Sequence, residues 1–284
     1  MKDIKILVAH HKESFVVKNP LLLPIQVNRE KSPVKLNMQG DDTGDNISSK
    51  NSIYCEMTAI YWAWKNVDAD YYGLFHYRRF FTCKDYSLVQ KIRRFKNRTY
   101  GRLIDFILRP GGNRVLFPVI STTDEMEFVQ SANNYMAYLQ NVLDEEDVDA
   151  IFGEPYYFTN MNNRNYFEPI GRKYINLLVE ICQKMDNNLY YYLTKVLEDN
   201  ELNAANMFIM KKELFFAYCE SVFSILDSVV ERLQKDNWVN DIYSEKATAR
   251  FVGYLAELLT CAYCKKLKSE KKNIKLSRTI FLDN

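Results

Sequence analysis

Short apolar runs alternate along this chain with longer segments of helical spacing, which favours an α/β sheet over a sandwich or a helical bundle. The first run, Ile4 to Ala9, is short, apolar and bounded by charge, as a strand buried on both faces should be. His10 and His11 follow at its carboxyl end, the edge where open α/β sheets bind ligands. Val16 to Val27 reads as a second extended region, punctuated by Pro20 and Pro24. Residues 37–50 are polar, hold two glycines and lack periodicity, hence a loop. A helix is expected from Asn51 or Ser52 to about Asn66, with Ile53, Met57, Ile60, Tyr61 and Trp64 at helical spacing. Tyr54, Glu56, Thr58 and Tyr61 are placed on its polar side, and Met57, Ile60 and Trp64 toward the core. Tyr71 to Phe75 is the next buried strand, and it delivers His76, Tyr77, Arg78 and Arg79 to its end.

Residues 84–112 read as helical and basic, ending at Pro110-Gly111-Gly112. Then follow a strand from Val115 to Ile120, a helix from Glu125 to Leu143 closed by the acidic run Asp144 to Asp147, and a short strand from Ala150 to Phe158. Helices are expected over Ile175 to Met185 and Leu189 to Val196, and a strand over Met207 to Met210. Two more helices cover Glu213 to about Leu233 and Ala247 to about Lys268. No internal repeat emerges. The expected class is α/β, one unit over residues 1–284, with the later helices packed beside the sheet.

Lys and Arg (38) nearly balance Asp and Glu (36), so the chain lacks the electrostatic footprint of a nucleic-acid binder. Its 20 Tyr and 17 Phe fill a core and also make stacking platforms for sugars and bases. Six scattered cysteines complete no zinc pattern, and Cys261 and Cys264 read as two small buried side chains one helical turn apart. The amino-terminal apolar run is too short for a signal peptide, and no run approaches the ~20 apolar residues of a membrane span. A reduced, cytoplasmic protein is expected. The basic run from Lys91 to Arg102 leads into Leu103 to Leu108, a pattern that can rest on an anionic membrane surface, whereas solvated charge is its plainer reading.

The chemistry concentrates in few places. At His76-Tyr77-Arg78-Arg79, arginines can fork onto phosphate oxygens, and a histidine adds a donor whose charge varies near neutral pH. The plain alternative pairs both arginines with the acidic loop. That loop, Asp41-Asp42-Thr43-Gly44-Asp45-Asn46, suits a divalent cation, ribose hydroxyls or a solvated turn, and lacks the spacing of an EF-hand. Asp68-Ala-Asp70 looks like a metal-binding DxD but precedes its strand, at the wrong sheet edge. Arg250 and Glu257, seven residues apart, share one helix face; a salt network is the bland account of that pair. There is no Ser-His-Asp triad, phosphate loop or dinucleotide fingerprint.

In linear order, GDDTGDNIS, NSIYCEMTAIYWAWKN, ADYYGLFHYRRFF, NMFIMKKELFFAYC and RFVGYLAELL resemble a bacterial capsular and exopolysaccharide biosynthesis family. That family was long known only as a domain of unknown function, and it includes galactofuranosyltransferases. The resemblance runs from Ile4 to about Leu259, with residues 84–150 divergent. It implies a GT-A-like nucleotide-binding mixed sheet flanked by helices, residues 1–160 forming mainly the donor-nucleotide half and 161–284 a mainly helical acceptor half. It further implies inverting transfer from a UDP-sugar, UDP-galactofuranose, to a lipid-linked or oligosaccharide acceptor in capsular, exopolysaccharide or O-antigen synthesis. The work would be done in the cytoplasm, with peripheral contact at the inner face of the plasma membrane. In that picture Arg78 and Arg79 replace a metal as partners of the diphosphate. His10, Asp41, Asn46, Tyr54, Glu56, His76, Tyr77, Asn206 and Arg250 complete the donor site, and Asp42, Asp45 and Glu257 are the candidate bases. No metal ligand is assigned; Mn²⁺ or Mg²⁺ on the acidic loop is one open alternative, and a catalytically silent membrane scaffold is another. Two departures from the family pattern, Arg172-Lys173 where relatives carry a His and a GYLAELL helix without the usual Arg after Glu257, leave acceptor and base open.

Overall fold

The run from Ile4 forms β1 (Ile4–His10) within a large mixed sheet. The computed structural model describes residues 1–88, 90–92, 95, 115–116, 119–159, 161–203, 205–236 and 250–283. In it β1 lies parallel to β2 (Leu22–Gln26) on one side and to β4 (Tyr71–His76) on the other, while β3 (Gln39–Gly40) extends the sheet beyond β2. Ile4, Ile6 and Val8 face one apolar cluster, and Leu7 and Ala9 face another. With no solvent side, the strand has no reason to alternate polar and apolar residues. Ala9 is level with both Ile25 and His76. The three parallel strands therefore finish together, and one edge collects His10, His11, Asn28 and the turn after His76.

Beyond β4 the sheet closes on itself. The far side of β4 carries β11 (Phe208–Lys211), antiparallel along Tyr71 to Leu74, and then β5 (Arg79–Thr82) through the pair His76–Arg79. β11 also pairs with β8 (Ala150–Gly153), β8 with β12 (Ile274–Leu282), and β12 with β5, which completes a small closed mixed ring. A side chain at Gly73 would meet the Phe208 carbonyl at 3.0 Å and Ile6 at 3.2 Å, so this close crossing needs a glycine in β4. β7 (Val119–Thr122) runs parallel to β12, and β6 (Val115–Leu116), β9 (Tyr156–Phe158) and β10 (Glu201–Leu202) make a second small sheet.

The helices are α1 (Asn51–Tyr54), α2 (Met57–Asn66), α3 (Glu125–Glu145), α4 (Asn163–Tyr166), α5 (Arg172–Met185), α6 (Asn187–Glu198), α7 (Lys212–Lys235) and α8 (Phe251–Ser269). α3 starts on Asp124, whose carboxylate accepts from the Met126 amide, and buries Phe128, Tyr135 and Leu139 against the Ile4-Ile6-Val8 face. Helices α2 and α5 to α8 cover the opposite face with the larger cluster. Among the described residues no helix is long and apolar enough to cross a membrane. All six cysteines are free, and Cys261 and Cys264 are buried as expected.

Four expectations need correction. The helix expected over 51–66 breaks at Cys55 (φ 52°, ψ −133°), where α8 packs so closely that a side chain on Gly253 would lie 3.2 Å from the Cys55 Cβ and Sγ. Tyr54 and Thr58, placed on a polar side, are both buried. The strand expected over 115–120 is two strands in different sheets, and Ala150 to Phe158 divides at Glu154-Pro155. β12 was not expected at all, yet three strands pair with it. Most of the basic segment 84–112, with the membrane contact proposed for it, and the start of the last helix at Ala247 lie outside the described residues.

Candidate functional site

The edge where β1, β2 and β4 finish opens into a cleft with two lobes. The smaller, about 360 Å³, lies between Ala9, Val27 and Asn28 at the strand ends and Asn51, Ser52 and Cys55. The larger, about 740 Å³, is bounded by the His76–Arg79 turn, Phe281 of β12, an aromatic wall at Tyr156, Tyr166 and Phe167, and the start of α8 at Arg250, Tyr254 and Glu257. His11, Glu56, His76 and Arg250 line both lobes and join them.

Tyr77 and Arg78 form the two-residue turn between β4 and β5, so His76 and Arg79 face each other across it. Both guanidiniums lie over the Phe281 ring, at 5.3 Å for Arg78 and 5.4 Å for Arg79. Among the described residues no carboxylate pairs with either, so pairing with the acidic loop does not account for them. The Arg78 Nε is buried without a hydrogen-bond partner among the described residues.

Burial first, then the charges of Arg79, His11, Arg78 and His10, pushes His76 down to about 3. Its ring therefore stays neutral across the physiological range, which corrects the expectation of a charge varying near neutral pH. The Arg78 amide donates to its Nδ1 at 3.5 Å, leaving the ring proton on Nε2. His10 is fully buried, stacks on Tyr77 with centroids 5.6 Å apart, and shares a 2.8 Å hydrogen bond with Ser14. Burial, and next the charge of His11, pushes it down to about 4. It lies behind the cleft rather than in it; His11, one residue on, takes the lining position.

Two carboxylates interact here, Glu56 at the junction of the lobes and Glu257 in the larger lobe. Burial first, then the charge of Glu56, pushes Glu257 up to about 7, against a hydrogen bond from the Ala205 amide and the charges of Arg79 and Arg250. Glu56 stands at the break between α1 and α2 and accepts from Asn206 Nδ2 at 2.9 Å. Asn206 is fully buried, and its Oδ1 accepts from Thr260 at 2.9 Å. Ala205 and Asn206 both hold left-handed backbone, φ 71° and 51°, a strained pair that presents one donor to each carboxylate. Asn206, expected to face donor or acceptor, thus stands behind Glu56. Arg250 and Glu257 do share the cleft face of α8, and the Arg250 Nε donates to the Cys55 sulfur at 3.4 Å. Burial pushes that thiol up to about 11.

The acidic loop serves another purpose. Asp41 is buried and accepts from the amides of Asn28 (3.0 Å) and Arg29 (3.1 Å) and from the hydroxyls of Ser48 (2.5 Å) and Thr58 (2.6 Å). Asp42 faces Arg29 at 3.8 Å, Asp45 accepts from Tyr61 at 3.2 Å, and Asn46 donates to the Gly44 carbonyl at 3.0 Å. At Gly44 (φ 58°) a side chain would collide with Asn66, whose amide ties the loop to the end of α2. The loop fastens α2 to the sheet, and Asp41, Asp42, Asp45 and Asn46 do not line the cleft. Nor does Tyr54, whose hydroxyl donates to Asp227 on the far side of α1. Asp68 pairs with Lys212 at 2.5 Å and Asp70 accepts from the Asp3 amide at 2.8 Å, both at the edge opposite the cleft. Among the described residues no three His, Cys, Asp or Glu side chains are grouped to hold a metal ion.

His11, placed by the sequence at the ligand-binding sheet edge, lines the cleft, whereas Lys12, Tyr156, Tyr166, Phe167, Tyr254 and Phe281 escaped the sequence reading. Only Tyr254 carried a usable signal, since it stands four residues after Arg250 and three before Glu257 on one helix face.

No curated protein matches the chain. A solved structure described as the apo form of the WbbM bifunctional glycosyltransferase is similar, with a TM-score of 0.78 at 25% identity over 99% of this chain. The chain spans 46% of the length of that protein. The profile of a family described as a domain of unknown function, DUF4422, matches residues 5–270. That match takes in nearly the whole chain, and the protein belongs to the DUF4422 family.

Proposed function

We propose that this protein is a glycosyltransferase that uses a UDP-sugar, UDP-galactofuranose, and inverts the anomeric centre. In this reading the sheet is GT-A-like and residues 1–284 work as one unit, with donor binding mainly in 1–160 and acceptor binding mainly in 161–284. The acceptor is a lipid-linked or free oligosaccharide of capsular, exopolysaccharide or O-antigen synthesis, met at the inner face of the plasma membrane. The similarity to a bifunctional glycosyltransferase supports the reaction class. One observation carries the reading: a single lobe holds two guanidiniums, Arg78 and Arg79, without carboxylate partners among the described residues, together with a carboxyl group held near 7, Glu257.

The chemistry follows from these groups. The smaller lobe, with Asn28, Asn51 and Ser52, receives the nucleoside. The diphosphate extends through the junction into the larger lobe, where Arg78, Arg79 and Arg250 balance its charge and the His76 Nε2 proton can donate. The acceptor hydroxyl oxygen attacks the anomeric carbon from the face opposite the diphosphate, forming one C–O bond as the other breaks. Its proton passes to Glu257, whose raised value suits a general base at neutral pH. The electron pair of the breaking bond leaves on UDP, and the arginines stabilise that developing charge more than the ground state.

Incubation with a panel of UDP-sugars, scoring UDP release with and without EDTA, tests the proposal. UDP release from the galactofuranose donor supports it. No release from any donor, together with no UDP-dependent thermal shift at millimolar UDP, would favour a scaffold instead.

A further inference from the structure

One side of the larger lobe is a wall of rings. Tyr166 closes α4 with 38% of its surface exposed. Its ring leans on the fully buried Phe158, centroids 4.6 Å apart and planes at 33°, and meets Phe167 edge-on at 5.1 Å. It is therefore a braced platform rather than a loose side chain. Tyr156 and Tyr254 continue the wall, and Phe167 packs between Tyr166 and Tyr254.

We infer that this wall is the acceptor subsite and takes the ring of a neutral saccharide, its apolar face on Tyr166 and its reacting hydroxyl toward Glu257. The inference rests on the transferase reading for the identity of the reaction, but the binding it describes stands on the wall itself. A sugar ring offers C–H groups on one face and hydroxyls around its rim, which matches a tyrosine with an apolar body and a polar tip. Burial comes first in pushing the Tyr166 hydroxyl up, and the charge of Glu257 comes next, so ring and carboxylate sense one another across the lobe. Tyr156 is likewise pushed up, by burial first. Both phenols stay neutral and can share hydrogen bonds with hydroxyls.

Charge decides between neutral and acidic sugars. Besides the phenols, the ionisable groups about this wall are Glu257, Arg250 and Arg79, whose charge reaches both Tyr156 and Tyr166, and Arg250 turns its Nε to Cys55 at the smaller lobe. A uronate or phosphorylated ring placed on Tyr166 would bring its charge toward Glu257 and Glu56, a like-charge contact that a neutral ring avoids.

Saturation-transfer NMR on the full chain tests this, with methyl β-galactopyranoside, methyl β-glucopyranoside and methyl β-glucuronide as probes in the presence of UDP, and UDP affinity measured separately by calorimetry. Transfer to the ring C–H protons of a neutral glycoside is expected, reduced roughly five- to tenfold in Tyr166→Ala and kept in Tyr166→Phe. UDP affinity should stay within about twofold in both variants, because the arginine side chains and not the Tyr166 ring meet the diphosphate. Equal transfer in wild type and Tyr166→Ala, no transfer to any neutral glycoside, or equal transfer to the glucuronide overturns the inference. Glycoside binding that depends on Tyr166 in a protein that binds no UDP would support the saccharide subsite while overturning the transferase reading.

Discussion

Asn206 donates from Nδ2 to Glu56 at 2.9 Å while its own backbone holds φ 51°. The adjoining Ala205 amide donates to Glu257, so one strained dipeptide fixes both carboxylates of the cleft. Left-handed backbone at a residue other than glycine costs about 1–3 kcal/mol and persists where surrounding contacts over-determine it. Thr260 supplies such a contact by donating to the Asn206 Oδ1 at 2.9 Å.

Asn206→Ala removes the donor to Glu56 and the acceptor of Thr260, and puts a less tolerant residue at positive φ. Urea denaturation should show a loss of about 2–3 kcal/mol. Asn206→Gly should recover part of that stability by relieving the backbone, yet not the activity, since Glu56 still lacks its donor. Full activity in the glycine variant would show that the hydrogen bond is structural only.

Glu257 should govern the rising limb of the pH profile. Its folded value of about 7 predicts kcat/KM climbing through neutrality, and Glu257→Gln should lower turnover about 100-fold or more. The stability consequence has a definite sign. The folded value lies above the ordinary 4.5, so as pH rises the unfolded chain loses this proton first. Stability from this group is present below about 4.5 and is lost as pH rises through about 7. Thermal melts of Glu257→Gln should therefore gain on wild type between pH 5 and pH 8.

His10 and His76 act in the opposite direction. Their folded values, about 4 and about 3, lie below the ordinary 6.5, so the unfolded chain takes up protons first on acidification. Their contribution is complete above about 6.5 and is lost as pH falls toward those folded values. His10→Gln should flatten the stability profile between pH 4 and pH 6.5, and an unchanged slope would contradict the burial of a neutral ring.

The acidic loop yields a contrast within four residues. Asp41→Ala should destabilise by about 3 kcal/mol, because it strands two amides and two hydroxyls that share its carboxylate. Asp42→Ala and Asp45→Ala should change stability by about 0.5 kcal/mol or less and leave turnover within about twofold. Loss of turnover in either, with the fold intact, would return the base to that loop.

Residue patterns exposed much of the central sheet and little of what meets at its edge. β1 and β4 declared themselves through apolar runs because a strand buried on both faces admits little else. β12 did not: its Ile-Lys-Leu-Ser-Arg-Thr-Ile-Phe-Leu alternates weakly, follows a basic helix end, and takes partners from three distant strands. The break at Cys55 was hidden too, since helical spacing continues across it and the cause is the approach of Gly253 from the far end of the chain. For the site, the arginine turn was legible from its place after a buried strand. The acidic loop misled because carboxylates and glycines look alike in a metal loop and in a clamp; only the donors from Asn28, Arg29 and Thr58 distinguish the two. His10 and His11 differ by one residue, and the pleat of β1 sends the first behind the cleft.

The most direct measurement compares the calorimetric affinities of UDP and UMP for wild type and for Arg78→Ala/Arg79→Ala. Paired guanidiniums that hold the outer phosphate should make wild type prefer UDP by about tenfold or more, and the double variant should lower UDP to the level of UMP while leaving UMP nearly unchanged. Undiminished preference for UDP in a folded double variant would contradict the account.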